Sequence, residues 1–306
     1  MKEILKTENL TKKYKKNTAL DSVDFTLMQG EIYGLIGRNG AGKSTFLGII
    51  TGAVRPGSGI LEIQGMKGRR NVIRARRNIG FMLEPNFYAY LTAEENLKYI
   101  CKVRGISDVD SEIKRVLELL GLYGNKKNIK SYSMGMKQRL GIAAALLGNP
   151  DIVILDEPIN GLDPQGIMDF RNIVTDIHKT QGTTFIISSH ILAELGIMAT
   201  KFGFLEKGRL IKEMTDKELA AACENQLIVK TDNQEKAVVI LEDKLNIKNY
   251  KVNGNNEIVL SDYIDNPQTV SDTLYENGLH ILTIKSQSIT LEEFFFNLIG
   301  GGNKYV

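Results

Sequence analysis

Gly37, Gly40, Gly42, Lys43 and Ser44 fit the pattern G-x-x-x-x-G-K-[ST], inside the run Gly37-Arg38-Asn39-Gly40-Ala41-Gly42-Lys43-Ser44-Thr45. Glycines at this spacing let successive backbone N–H groups turn inward around an anion. Lys43 is then placed to reach β- and γ-phosphates, and the Ser44 hydroxyl to hold Mg²⁺. A second set lies downstream. Asp156-Glu157 closes the apolar run Ile152 to Leu155. A carboxylate at the C-terminal end of a buried strand points into the crevice where such sheets bind ligands. Asp156 suits Mg²⁺, and Glu157, pointing differently, suits proton abstraction from an attacking water. Ser188-Ser189-His190 follows the next apolar run, where an imidazole can hydrogen-bond a γ-phosphate or orient the water. His178 and His280 have no such placement. Together these residues predict hydrolysis of a nucleoside triphosphate by in-line attack on its γ-phosphate.

Each group needs an element to hold it. Ile32 to Ile36 reads as a buried strand, and Thr45 to Ile50 opens an apolar helix whose positive N-terminus points at the phosphates. Residues 3 to 7, 23 to 28, 59 to 64 and 78 to 83 read as further strands, with Tyr14 in a polar loop between the first two. Thr92 and Glu95 form a capping box that starts a helix. A second helix carries Ile113, Val116, Leu117 and Leu120 on one face. A third starts near Ser133 and stops at Gly148-Asn149-Pro150. Continuous apolar strands at 151 to 155 and 183 to 188 are typical of a parallel sheet buried on both faces. Asp163-Pro164 caps the helix between them.

The predicted fold is therefore an α/β phosphate-loop NTPase core with a mainly parallel sheet. An N-terminal antiparallel sheet and an inserted helical subdomain, about 92–148, complete residues 1–220. After Cys223 the order strand-helix-strand-strand-helix-strand, with a final helix, predicts a small α+β accessory domain over 223–306. Nothing catalytic clusters there.

The 306 residues are 42% hydrophobic and 25% charged, with a net charge of +3, too small to argue for nucleic acid. No apolar run is long enough to span a membrane, and the first residues lack a signal peptide's apolar stretch. The two cysteines stand in no metal or redox spacing, which fits a reducing cytoplasm. Two basic clusters remain. Lys12, Lys13, Lys15 and Lys16 form one; Lys67, Arg69, Arg70, Arg74, Arg76 and Arg77 form the other. They read as solvated faces, with a partner or an anionic membrane surface as the alternative.

The chain resembles the ATP-binding subunits of ATP-binding cassette transporters over about residues 1 to 215. The resemblance rests on Gly37 to Thr45, Tyr132-Ser133-Met134-Gly135-Met136-Lys137-Gln138-Arg139, Asp156-Glu157-Pro158, Gly161-Leu162-Asp163 and His190. It implies that Tyr14 stacks on adenine. It implies that Ser133 and Gly135 are the signature pair, which binds the γ-phosphate held by another subunit. Two copies must then pair head-to-tail around two ATP molecules, with Asp163 in the loop crossing the interface. A separate transmembrane permease is the other implied partner, and the location is cytoplasmic, peripheral on the membrane's inner face. No nucleic acid is expected.

Two departures stand out. The common signature Leu-Ser-Gly-Gly-Gln is replaced by Tyr132-Ser133-Met134-Gly135-Met136, and Glu84 stands where the family usually has a Mg²⁺-touching glutamine. Both features look like the bacitracin-export and lantibiotic-immunity branch. The rival readings are a soluble cassette ATPase acting on nucleic acid or ribosomes, and a nucleotide-dependent sensor with slow turnover.

Overall fold

The structure, a computed structural model, describes residues 2–15, 17–83, 86–223, 225–253, 256–288 and 290–299. The Glu84 expectation lies outside them. The chain divides into two compact units, Met1–Asp216 and Lys217–Val306.

In chain order the first unit begins with β1 (Glu3–Tyr14), β2 (Asn17–Met28), β3 (Ile32–Ile36) and α1 (Lys43–Thr51). It continues through β4 (Ser58–Ile63), β5 (Met66–Lys67), α2 (Arg69–Ala75) and β6 (Ile79–Met82). Then come α3 (Ala93–Arg104), α4 (Val109–Leu119) and α5 (Met134–Leu146). Next are β7 (Ile152–Asp156), α6 (Pro164–Gln181), β8 (Thr184–Ser189), α7 (Leu192–Met198), β9 (Lys201–Glu206) and β10 (Arg209–Thr215).

A six-stranded sheet in the order β10-β9-β3-β8-β7-β6 carries the core. It is parallel throughout except at its β9–β10 edge. Every residue of β3 is buried, as are the four aliphatic residues of β7 and all of β8. Apolar side chains on both faces are what helices packed on each side of a parallel sheet require. A second, antiparallel sheet in the order β2-β1-β4-β5 packs its Leu10, Leu20 and Leu27 into the same core. The helices α3 to α5 form one block inserted between β6 and β7, which pair directly with each other.

Two features differ from the sequence reading. The first two strands are 12 residues each, so Tyr14 ends β1 instead of lying in a loop. The lysines around Lys12 and Lys13 conceal that strand, and register shifts along the β1–β2 ladder break the alternation that would have revealed it. The charged run from Arg69 also contains the unexpected helix α2, which buries only Val72 and Ala75.

The second unit holds β11 (Asn225–Thr231), α9 (Gln234–Leu245), β12 (Tyr250–Val252), β13 (Ile258–Leu260), α10 (Pro267–Glu276), β14 (Ile281–Ser288) and α11 (Leu291–Leu298), after α8 (Asp216–Ala222) at the boundary. Its antiparallel sheet runs β12-β13-β11-β14. This is the split βαβ order the alternating pattern predicts. Leu227, Val229, Ile258 and Leu260 meet Ala237, Leu241, Val270 and Leu274 in a separate core.

Candidate active site

Strand register brings the chemistry together. Ile36, the last residue of β3, pairs with Ser189 of β8, and Ser188 pairs with Asp156 of β7. Three neighbouring parallel strands thus release the phosphate loop, the acidic pair and the histidine at one edge of the sheet. That edge is the carboxyl end, where open α/β sheets bind ligands.

The phosphate loop is glycine for steric reasons as well as conformational ones. A Cβ on Gly37 would stand 2.5 Å from the Leu205 carbonyl oxygen, and one on Gly42 2.5 Å from that of Ala19. Gly42 has φ 113° and caps α1 without a side-chain bond, so the first N–H groups of the helix have no side-chain acceptor at the cap. Arg38, Asn39, Gly40 and Ser44 are exposed, Ala41 is buried, and Thr45 is half-buried.

Lys43 is 5% exposed, and its Nζ donates to the Gly37 carbonyl at 2.6 Å. The same ammonium lies 3.2 Å from Glu157 Oε1. Glu157 Oε2 in turn meets His190 Nδ1 at 2.7 Å. The carboxylate therefore bridges the lysine of the phosphate loop and the histidine after β8. Its backbone is left-handed, φ 49°, and Glu157 N–H donates to the Ser188 hydroxyl at 2.9 Å. The Ser188 hydroxyl donates to Asp156 Oδ1. Ser188 thus ties together the two acids that the sequence reading separated by role. Its position at the end of an apolar strand was visible in the sequence; its bridging contacts were not.

Ser44 and Asp156 line one cavity of about 1080 Å³, together with Met82, Leu83, Phe81 and Tyr99. The remaining expected site residues that the structure describes make no bond to this cluster. Ser133 caps α5, accepting from Met136 N–H at 3.3 Å. Gly135 faces Leu162, and Met134 lies against Gly161. Asp163 caps α6, accepting from Gly166 N–H at 2.9 Å. No hydrogen bond or ion pair among the described residues joins Ser133, Gly135 or Asp163 to Lys43, Glu157 or His190. Tyr14 is 45% exposed, with Lys12 Nζ 4.9 Å from its ring centroid. Among the described residues, no hydrogen bond or ion pair ties it to the cluster either.

Known proteins resemble this chain in sequence and fold. A family model described as ABC transporter matches residues 20–160. The bacitracin transport ATP-binding protein BcrA of Bacillus licheniformis is 40% identical over 304 residues, 99% of each chain. The chain belongs to the ABC transporter family. It is an ATP-binding subunit of that family, and ATP hydrolysis coupled to transport is its activity. The lantibiotic transport ATP-binding protein SrtF of Streptococcus pyogenes is 44% identical over 213 residues, 69% of this chain and 90% of that one. Among solved cassettes, the dimeric bacterial ABC transporter cassette MJ0796 is similar at 29% identity and a TM-score of 0.63, covering 69% of this chain and 98% of that one. MJ0796 in a post-hydrolysis state bound to ADP and Pi is also dimeric, at 25% identity and a TM-score of 0.64, covering 69% and 98%. Family members bind ATP, generally with Mg²⁺, work as dimers and meet the membrane through a separate permease. No helix among this subunit's described residues is long and apolar enough to cross a membrane. The transport reading, and not the nucleic-acid one, is what these relatives support.

Proposed function

We propose that this subunit hydrolyses ATP in a head-to-tail homodimer to drive export of a peptide antibiotic, of the bacitracin or lantibiotic class, through a separate permease. The first unit is the ATP-binding cassette and the second an accessory domain. One observation carries the catalytic part: Glu157 spans Lys43 and His190 at the mouth of the phosphate loop.

Lys43 holds the β- and γ-phosphates, leaving the Gly37 carbonyl when ATP enters. Gly37 to Thr45 supply the surrounding N–H groups. Glu157 accepts the proton of the attacking water. His190, oriented through Nδ1 by Glu157, presents its other nitrogen to the γ-phosphate or the water. Tyr14 stacks on adenine, which tolerates other bases because every base has a π-face. The oxygen donors Ser44 and Asp156 share one cavity, a hard-ligand pair of the kind Mg²⁺ selects, with Glu84 as the third candidate. Ser44 and Asp156 would hold the Mg²⁺, whose contribution there would be to neutralise phosphate charge.

Ser133 and Gly135 are separated from the Lys43 cluster within one chain, which supports completion of each pocket by a second copy. The Ser133 cap sits where α5 can offer N–H groups to that copy's γ-phosphate. Asp163 crosses the same interface. The segment Arg74 to Tyr99, which carries the exposed Phe81 and Tyr99, receives the permease and holds the subunit on the inner face of the cell membrane.

The substrate class is tested by expressing the chain with its own permease in a host sensitive to bacitracin and to lantibiotics. Minimum inhibitory concentrations are expected to rise for one of the two. Unchanged sensitivity to both overturns the substrate assignment and leaves the ATPase assignment untouched.

A further inference from the structure

Residues 69 to 77 read Arg-Arg-Asn-Val-Ile-Arg-Ala-Arg-Arg, with five arginines and no acid. On a helical turn of 3.6 residues, Arg69, Ile73, Arg70 and Arg74 of α2 fall within an arc of about 140°, and Arg77 follows just past the end of the helix. All five are exposed, whereas Val72 and Ala75 on the other side are 6% and 2% exposed. Arg76 turns inward and serves the fold: its guanidinium donates to the carbonyls of Ile50 at 2.8 Å and Ile49 at 2.7 Å. The side chains of the four outward arginines make no hydrogen bond or ion pair among the described residues. Glu62 of the adjoining β4 is already taken by Lys67 at 3.0 Å. Ile73, 54% exposed, stands in the middle of the four.

This face adjoins the segment assigned to the permease, because Ile73 and Arg77 line one cavity with Phe81 and Tyr99. We propose that the outer face of α2 rests on the anionic lipid headgroups beside the permease. The proposal takes its location from the permease reading above. Its chemistry is independent of that reading. Four guanidiniums spread around one exposed aliphatic side chain make an extended basic patch. Guanidinium forks match phosphate oxygens in pairs. An apolar side chain among basic ones is the composition of a helix lying at a membrane interface. The expected gain is roughly fivefold in surface partitioning per basic residue.

The test uses the purified full-length chain and vesicles of phosphatidylcholine alone or mixed two to one with phosphatidylglycerol. Wild type is expected to co-sediment at least ~tenfold better with the anionic vesicles, and to be released by salt. Arg69→Glu/Arg70→Glu/Arg74→Glu is expected to lose at least ~tenfold of that binding. The charge-matched control Lys126→Glu/Lys127→Glu/Lys130→Glu, on an exposed loop between α4 and α5, is expected to lose far less. Absent wild-type binding, an unaffected α2 variant, or an equal loss in the control overturns the proposal. So does an α2 variant that keeps its vesicle binding but no longer associates with detergent-purified permease, since the patch is then a protein contact. ATP hydrolysis by all three proteins is measured in parallel; if it persists, the cassette reading stands whatever the vesicles show.

Discussion

Glu157 holds left-handed backbone at φ 49°, a region that costs a non-glycine residue about 1–3 kcal/mol. The cost is offset by what the turn achieves. The chain leaves β7 at Asp156 and immediately aims the next carboxylate at Lys43 and His190, with Ser188 fixing the backbone from the neighbouring strand. Glu157→Gln keeps the shape but cannot take a proton. ATP turnover is expected to fall ~10²-fold or more, the usual size of a general-base contribution, while nucleotide binding persists. Phosphate release and binding of a fluorescent ATP analogue check both halves; wild-type turnover removes Glu157 from the base role.

At the level of elements, the helical block is held to the sheet by contacts no motif announces. Gly80 in β6 lies directly under α5, where a Cβ would overlap the Ala145 carbonyl. Gly80→Ala is expected to cost at least about 1–3 kcal/mol through overpacking, seen as a lower urea midpoint. Within the block, Glu112 of α4 accepts from Arg115 at 2.9 Å and from the Gly148 amide at 2.8 Å, just past α5. The Arg115 guanidinium first, and the Gly148 amide with it, hold this carboxyl below its ordinary value of 4.5. A folded value below the unfolded one means stabilisation that is complete above pH 4.5 and lost as pH falls through the folded value. The stability gap between wild type and Glu112→Gln is therefore expected to be widest at neutral pH and to close in acid. Urea titrations at several pH values measure it; a gap that does not vary with pH contradicts the assignment. The capping box at Thr92, by contrast, was readable in advance, because its three-residue spacing is local, and Glu95 N–H does donate to Thr92 Oγ1 at 3.3 Å.

For the whole molecule, the proposed homodimer turns on two half-sites that no hydrogen bond or ion pair among the described residues joins within one chain. Ser133 and Gly135 begin α5, whereas Lys43, Glu157 and His190 gather at the ends of β3, β7 and β8. If a second copy completes each pocket, hydrolysis per chain rises with protein concentration. Ser133→Arg is expected to leave ATP binding intact and to block ATP-induced dimerisation, read by light scattering in the Glu157→Gln background. An ATP-bound dimer formed by that double variant contradicts the shared-site model.

Sequence alone determined whatever depends on near neighbours. The phosphate loop, the Asp156-Glu157 strand end, the buried β-runs and the order of elements from β11 to α11 in the second unit are patterns of side-chain type over a few residues, and local sterics and hydrophobic periodicity translate them directly. Tertiary structure decided what depends on strands and helices far apart in the chain. The parallel register of β3, β8 and β7 placed Lys43, His190 and Glu157 within bonding reach. Ser188 became a bridge between two acids, Tyr14 was drawn into a strand, and α2 emerged from a run whose charge hid its narrow buried stripe. Pairings across more than a hundred residues leave no local mark, because the energy that selects them comes from burying whole faces together.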